Sequence, residues 1–301
     1  MSEFTNNAEQ RAEELANYMQ GLLQGENGLQ LIEKHALKTS KFIPHDIVGA
    51  FDILMDKQVS IEDLKFVSNK LFNILYQTIL EYPALTPAQG SILDIYTQDN
   101  AVALANLKDM REHIKAINKQ VEAVHIRALS EKLIAFEKFF LHYTVIENVV
   151  FPVLEAKWKH HQCVKLMWSF HDDIKRNVKR LVELLSAVEI DLKEFNSVCG
   201  LVFFNVNTII LREEKIIFPM LLETLSNEEF VDMLQQTIGI GLPYAELKQA
   251  GLKKNENIFS TEDKIHLPTG ILTAEQFNLI FNHLPVDITY VDENDTVRFY
   301  S

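Results

Sequence analysis

Two octapeptides in this chain repeat one pattern 67 residues apart, Glu147-Asn-Val-Val-Phe151-Pro152-Val-Leu154 and Glu214-Lys-Ile-Ile-Phe218-Pro219-Met-Leu221. Each sets a carboxylate into an otherwise apolar helical stripe, where an unpaired charge is costly and calls for a partner. A bound metal ion is one such partner. Histidines stand in the same kind of stripe: His171 at an inward position, and His142 one turn before Ile146 and five residues before Glu147. Imidazole and carboxylate together suit iron better than a thiolate set would.

Four long helices must position these groups. The first is expected from about Ser91 to Gln120, with Tyr96, Asn100, Ala103, Leu107, Met110, Ile114 and Ile117 turned inward. The second, from about Ala128 to Lys157, steps through Leu129, Leu133, Phe136, Phe140, Tyr143, Glu147, Val150 and Leu154. The third, from about Val164 to Ala187, carries Val164, Met167, His171, Ile174, Val178, Leu181 and Leu185. The fourth, from about Leu192 to Leu225, carries Val202, Val206, Ile209, Glu213, Ile217 and Met220, with Glu214 one step round. Every helix thus points a polar side chain inward. A single buried polar group is commonly a satisfied core residue, but four on facing helices point to a shared site, which is how helix bundles build metal and cofactor centres.

Composition bounds the rest. With 301 residues, 47% hydrophobic and 24% charged, the chain can bury a sizeable core and exceeds one small domain. A net charge of −13 argues against nucleic acid or an anionic membrane as the partner. The polar N-terminus has no apolar signal core, and no run reaches the roughly 18 apolar residues of a membrane span, so the expected location is the cytoplasm. Cys163 and Cys199 are too few and too far apart for a disulfide scaffold. Gly and Pro are sparse up to about residue 239, consistent with helix. Ser60-Ile-Glu-Asp63 reads as a helix cap in a first helical section of about residues 8–82, and Tyr82-Pro83 with Thr86-Pro87 breaks the pattern.

At its polar residues the chain resembles the hemerythrin-like HHE cation-binding domains, over about residues 91–225. His142 with Glu147 resembles the second-helix motif, His171-Asp172-Asp173 the third-helix His, and Arg212-Glu213-Glu214-Lys215-Ile-Ile-Phe218-Pro219 the fourth-helix Lys-Glu-Glu-x-x-Leu-Phe-Pro form. The resemblance implies a four-helix bundle with a non-haem di-iron centre, whose ligands here would be His142, Glu147, His171, Glu213 and Glu214, with Asp99. The flanks, Met167-Trp168-Ser-Phe-His171 and Leu284-Pro285 to Ser301, resemble a subgroup that adds an N-terminal helical domain of unknown function and a C-terminal PAS domain. Independently, Asp287 to Asp292 and Thr296 to Ser301 alternate around Glu293-Asn294-Asp295, a hairpin signal, and Thr273-Ala-Glu-Gln276 reads as a helix cap before it.

The expected architecture is therefore mainly α. It comprises a small helical domain at 1–85, an up-down four-helix bundle at 91–225, a helical and loop linker at 226–270, and a short α+β piece at 271–301 resembling the start of a PAS domain. Asp99-Asn100 stands where the family has a first-helix His, Ile146 where it has the His-x-x-x-Glu carboxylate, and Ile209 where many relatives have a His. This shortfall argues against reversible oxygen carriage.

A second cofactor fits the pattern. Cys163, Met167 and His171 recur on one helix face, and His and Met are common axial ligands of haem. A haem held by His171 or His142, with Met167, is the alternative to di-iron, while core filling is the plain role for Met167. Three readings stand: an iron-centre sensor of oxygen, nitric oxide or redox state that signals to a downstream protein through the PAS region; a haem-binding or haem-handling protein; and a degenerate bundle acting only in protein contacts, with its carboxylates neutralised by neighbours such as Lys175. No Gly-rich phosphate loop, nucleophile elbow or Cys-His pairing proposes an enzyme.

Overall fold

Helix starts in this chain are written in short polar side chains, which satisfy the first backbone N–H groups of a helix. Asn27, Ser60, Ser91, Asp191 and Ser226 each accept such bonds, and Ser226 forms a reciprocal capping box with Glu229. Ser60 Oγ accepts the Asp63 N–H at 3.1 Å and donates to Asp63 Oδ2 at 2.8 Å. The helices so begun appear in a computed structural model, which describes residues 3–82, 85–244, 264–267, 270–273, 280, 289–291 and 297–300.

Among the described residues nine helical rods follow in order. α1 is Glu3–Leu23, α2 Gly28–Lys34, α3 Pro44–Asp56 and α4 Ile61–Glu81. α5 is Ile92–Lys119, α6 Ala123–Lys157, α7 Cys163–Leu185, α8 Leu192–Thr224 and α9 Asn227–Ile240. α5 to α8 pair as α5 with α6, α6 with α7, α7 with α8 and α8 with α5, closing a four-helix bundle. α1 packs on α3 and α4, and α3 and α4 pack in turn on α7 and α8. This N-terminal helical layer, expected as a domain of its own, shares one compact unit with the bundle, residues 1–246. Lys65 of α4 fastens the seam by donating to Asp173 Oδ2 of α7 at 2.7 Å.

The inward stripes on α5, α7 and α8 are buried as expected, apart from the half-buried Ile114. On α6 one position differs. Phe139 is fully buried and Phe140 only partly, the reverse of the expected order. A 3₁₀ turn at Glu137–Phe139 winds the helix more tightly there and advances Phe139 into the core.

Both Phe-Pro repeats carry the same irregularity. Ile146–Val150 and Glu213–Ile217 are π-helical turns, each ending immediately before the Phe of Phe151-Pro152 or Phe218-Pro219. Proline has no N–H and crowds the carbonyl four residues back, and the wider π turn absorbs that mismatch. By length and composition α6 and α8 could each cross a membrane, but 56% and 50% of their most apolar windows are buried in the protein, as expected of core helices.

α9 lies against α5 and α6, and Gly241, at φ 100°, ends it. Thr237 Oγ1 donates to Met233 O at 2.8 Å and so accepts from the Tyr96 hydroxyl, 2.6 Å away. Residues 247–301 form a second unit. In it β1 (Lys264–Leu267) pairs antiparallel with β2 (Gly270–Thr273), and β3 (Thr289–Val291) with β4 (Val297–Tyr300). The second hairpin falls where the alternation around Glu293-Asn294-Asp295 predicts one. The first lies mostly in the stretch expected as linker, where Lys264 to Leu267 is too short a run to stand out. Of the expected cap at Thr273-Ala-Glu-Gln276, residues 274–276 lie outside the described residues.

Because the Tyr96 hydroxyl is buried, replacing Thr237 with Val leaves it without its acceptor. The expected loss is about 1–3 kcal/mol, measured as a lower urea midpoint with an unchanged slope.

Candidate metal centre

Among the described residues, six of the buried polar side chains on the four bundle helices form one cluster in its interior. Asp99, Asn100, His142, His171 and Glu213 have no solvent exposure, and Glu147 has 7%. The backbone irregularities place them. The π turn of α6 turns Ile146, Glu147, Val149 and Val150 all inward, and that of α8 buries Glu213 together with Ile216 and Ile217. Such π turns recur at functional sites because they re-aim side chains that a regular helix would point elsewhere.

Aromatic faces fix both imidazoles. His142 stacks on Phe139, with ring centroids 5.0 Å apart, and meets the edge of Tyr96 at 5.9 Å. His171 stacks on Tyr143 at 4.2 Å and on Phe151 at 5.9 Å. The displaced Phe139 is thus the residue that sets the plane of His142.

Two hydrogen-bonded groups divide the cluster. In the first, Glu213 Oε2 accepts from Asn100 Nδ2 at 3.0 Å and contacts His142 Nε2 at 3.1 Å. His142 Nδ1 faces Asp99 Oδ2 at 3.9 Å, a charge contact too long for a hydrogen bond. Asp99 Oδ1 in turn accepts the Tyr244 backbone N–H at 3.2 Å. In the second, Glu147 Oε1 contacts His171 Nδ1 at 2.8 Å and accepts from Lys175 Nζ at 3.3 Å. Between the two groups, His171 Nε2 and Glu213 Oε1 face each other at 4.0 Å, and neither makes a hydrogen bond. The buried hydroxyl of Tyr143 also has none.

Charge follows the geometry. Burial alone would push the His142 imidazole down, but Glu213, with Asp99 behind, more than offsets it and raises the group to about 9. Burial likewise pushes the Glu213 carboxyl up, and His142 with His171 and Asn100 overcomes this, leaving it below its usual value. The pair is an imidazolium and a carboxylate. Glu214 is only half-buried and turns off the core, its carboxyl raised by burial and by the charge of Glu213.

The expected ligands therefore fall into two sets. His142, His171, Glu147, Glu213 and Asp99 come together in one cluster, and Glu214 lies at its margin. Met167 lies elsewhere, lining with Cys163 an apolar cavity between the bundle and the N-terminal layer. Sequence periodicity passed over Tyr143 as a polar member, because its ring reads as core, and over Tyr244, whose backbone rather than side chain reaches Asp99. It also passed over Arg212, which is 4% exposed and packs between Phe72 of α4 and Phe170 of α7.

Among the described residues no three His, Cys, Asp or Glu side chains are arranged to hold a metal ion as they stand. Four of them are instead turned onto one another, His142 onto Glu213 and His171 onto Glu147. The fit to a cation rests on the donors left over. His171 Nε2 and Glu213 Oε1 are fully buried, unpartnered and adjacent, and His171 is oriented through its other nitrogen by Glu147, the carboxylate–imidazole arrangement common behind metal-bound histidines. These donors fit one cation.

In metal-free protein the charged pair carries a pH signature. A folded-state pKa near 9 lies above the unfolded value of 6.5, so the stabilisation by His142 is complete below about pH 6.5 and lost as pH rises through 9. The depressed Glu213 carboxyl removes its own contribution only in acid. With chelator present, wild-type stability is expected to fall between pH 6.5 and 9.5 by on the order of 3 kcal/mol more than that of His142→Gln, as read from urea unfolding at a series of pH values.

Comparison with known proteins places this bundle. No curated protein matches the chain. A family model described as the Hemerythrin HHE cation binding domain matches residues 92–221, from the first turn of α5 to the last turn of α8. The matched stretch, which is similar to that family, contains all of the polar core described above.

Proposed function

We propose that this protein is an iron-binding sensor whose bundle holds one metal ion, with His171 Nε2 and Glu213 Oε1 as its primary ligands and His142 as the second imidazole. The carrying observation is the pair of unpartnered, fully buried donors 4.0 Å apart. Two nitrogen donors and a carboxylate match the ligand preferences of non-haem iron. When bound, iron would supply one-electron chemistry and a coordination position for a small ligand such as oxygen or nitric oxide.

The chain's own residues then have distinct tasks. Glu147 orients His171 through Nδ1 so that Nε2 faces Glu213, and Lys175 bonds Glu147 from outside. Asn100 fixes the orientation of Glu213. Phe139, Tyr143 and Phe151 exclude water from both rings. Loading a cation requires His142 to give up its proton, so affinity should rise with pH. The hairpin β3–β4 would belong to a PAS-like output region that passes the signal to a partner in the cytoplasm.

This reading is favoured over haem because Met167 and Cys163 face a cavity apart from both histidines. One observation supports the competing view of a bundle without cofactor: Glu147 and Glu213 each already have an internal cationic neighbour. Anaerobic reconstitution separates the three. The expected result is about one ferrous ion per chain after desalting, with a raised melting temperature, and loss of both in His171→Gln that remains folded by circular dichroism. Retention of full iron by that variant, or no iron in the wild type, contradicts the proposal. A Soret band on adding haem, abolished in the same variant, would transfer the site to haem.

A further inference from the structure

On the face of α8 next to the one that carries Glu213, Arg212 is buried between the bundle and the N-terminal layer. Its guanidinium lies between two rings, 4.5 Å from the centroid of Phe72 on α4 and 4.4 Å from that of Phe170 on α7. Nη2 donates to Ser68 Oγ at 2.9 Å and to Asn69 Oδ1 at 3.3 Å. Nε and Nη1 have no acceptor. Among the described residues no carboxylate forms an ion pair with it, and the cost of burial holds the guanidinium below its usual value, at about 9.

A buried cation left in this state is costly. The two ring faces return about 2 kcal/mol each at best, while every orphaned donor costs about 1–3 kcal/mol and the missing counter-charge several more. Arginine cannot escape by losing its proton near neutral pH. Arg212 also forms part of the wall of an otherwise apolar cavity, together with Phe72, Cys163, Met167 and Ile216. The cavity has a free volume of about 30 Å³, which exceeds the roughly 10–15 Å³ that one water-sized species needs. It is too small for an organic ligand of any length.

We infer that this cavity is a binding site for a small monovalent anion of halide size, held by Arg212 at the seam between the N-terminal helices and the bundle. Cavity size selects a compact ion, the apolar wall disfavours a strongly hydrated or divalent one, and the guanidinium supplies both the charge and the free N–H donors. Because the walls come from α3, α4, α7 and α8, the ion ties the N-terminal layer to the bundle. The site shares no ligand with the polar cluster, so it stands or falls independently of iron.

The test is thermal unfolding of the full chain at constant ionic strength in sodium chloride, sodium bromide or sodium gluconate, whose anion is too large for the cavity. At a halide concentration of ten times its Kd, the midpoint is expected to lie about 2–4 °C higher than in gluconate. The volume-conserving Arg212→Met should erase that difference, as should the milder Arg212→Gln if the first variant does not fold. Anomalous diffraction from a bromide-soaked crystal should place one peak beside Arg212 in the cavity. Equal midpoints in all three salts, a halide effect that survives both substitutions, or a cavity without bromide would overturn the inference.

Discussion

The carboxylate of Glu213, at zero exposure in the centre of an apolar bundle, is the constraint around which the interior is organised. A charge so placed is tolerated only if positive charge and hydrogen bonds meet it from every side. His142 answers one oxygen and Asn100 supports it, whereas the other oxygen faces the unpartnered Nε2 of His171. Asp99, Glu147 and Lys175 make sense as a second ring that balances the imidazoles. The cluster as a whole is a poised set of donors in which one proton, on His142, occupies a role that a metal ion could take.

Backbone irregularity is what makes this possible in long helices. The two prolines force π turns at equivalent places in α6 and α8, and those turns deliver Glu147 and Glu213 from opposite sides. The 3₁₀ turn upstream in α6 delivers Phe139 beneath His142. A regular α6 would present neither ring nor carboxylate at these heights, so the site is as much a product of backbone defects as of side-chain identity.

Much of this was legible in the sequence. The four stripes, the helix ends and the inward His and Glu follow from periodicity and capping residues, because a buried face must repeat at the helical period. Phe139 escaped because a 3₁₀ turn has no signature at this length, and Phe140 fits the regular register better. Arg212 escaped because the reading assumed one buried face per helix, whereas α8 is covered by the bundle on one side and by the N-terminal layer on the other. The hairpin at 264–273 escaped because its strands are four residues each. Glu214, which heads the repeat that first drew attention, is one step off the core, and its neighbour Glu213 takes the interior position.

The central claim is that one cation can bind His171 Nε2 and Glu213 Oε1 and take the place of the proton on His142. X-ray absorption at the iron edge of the loaded protein tests it most directly, because imidazole rings and a neighbouring iron give different outer-shell scattering. The account predicts one iron with two imidazole rings and at least one carboxylate oxygen in its coordination shell, and no metal neighbour. A second iron within about 3.5–4 Å, or an iron without imidazole scattering, would contradict it.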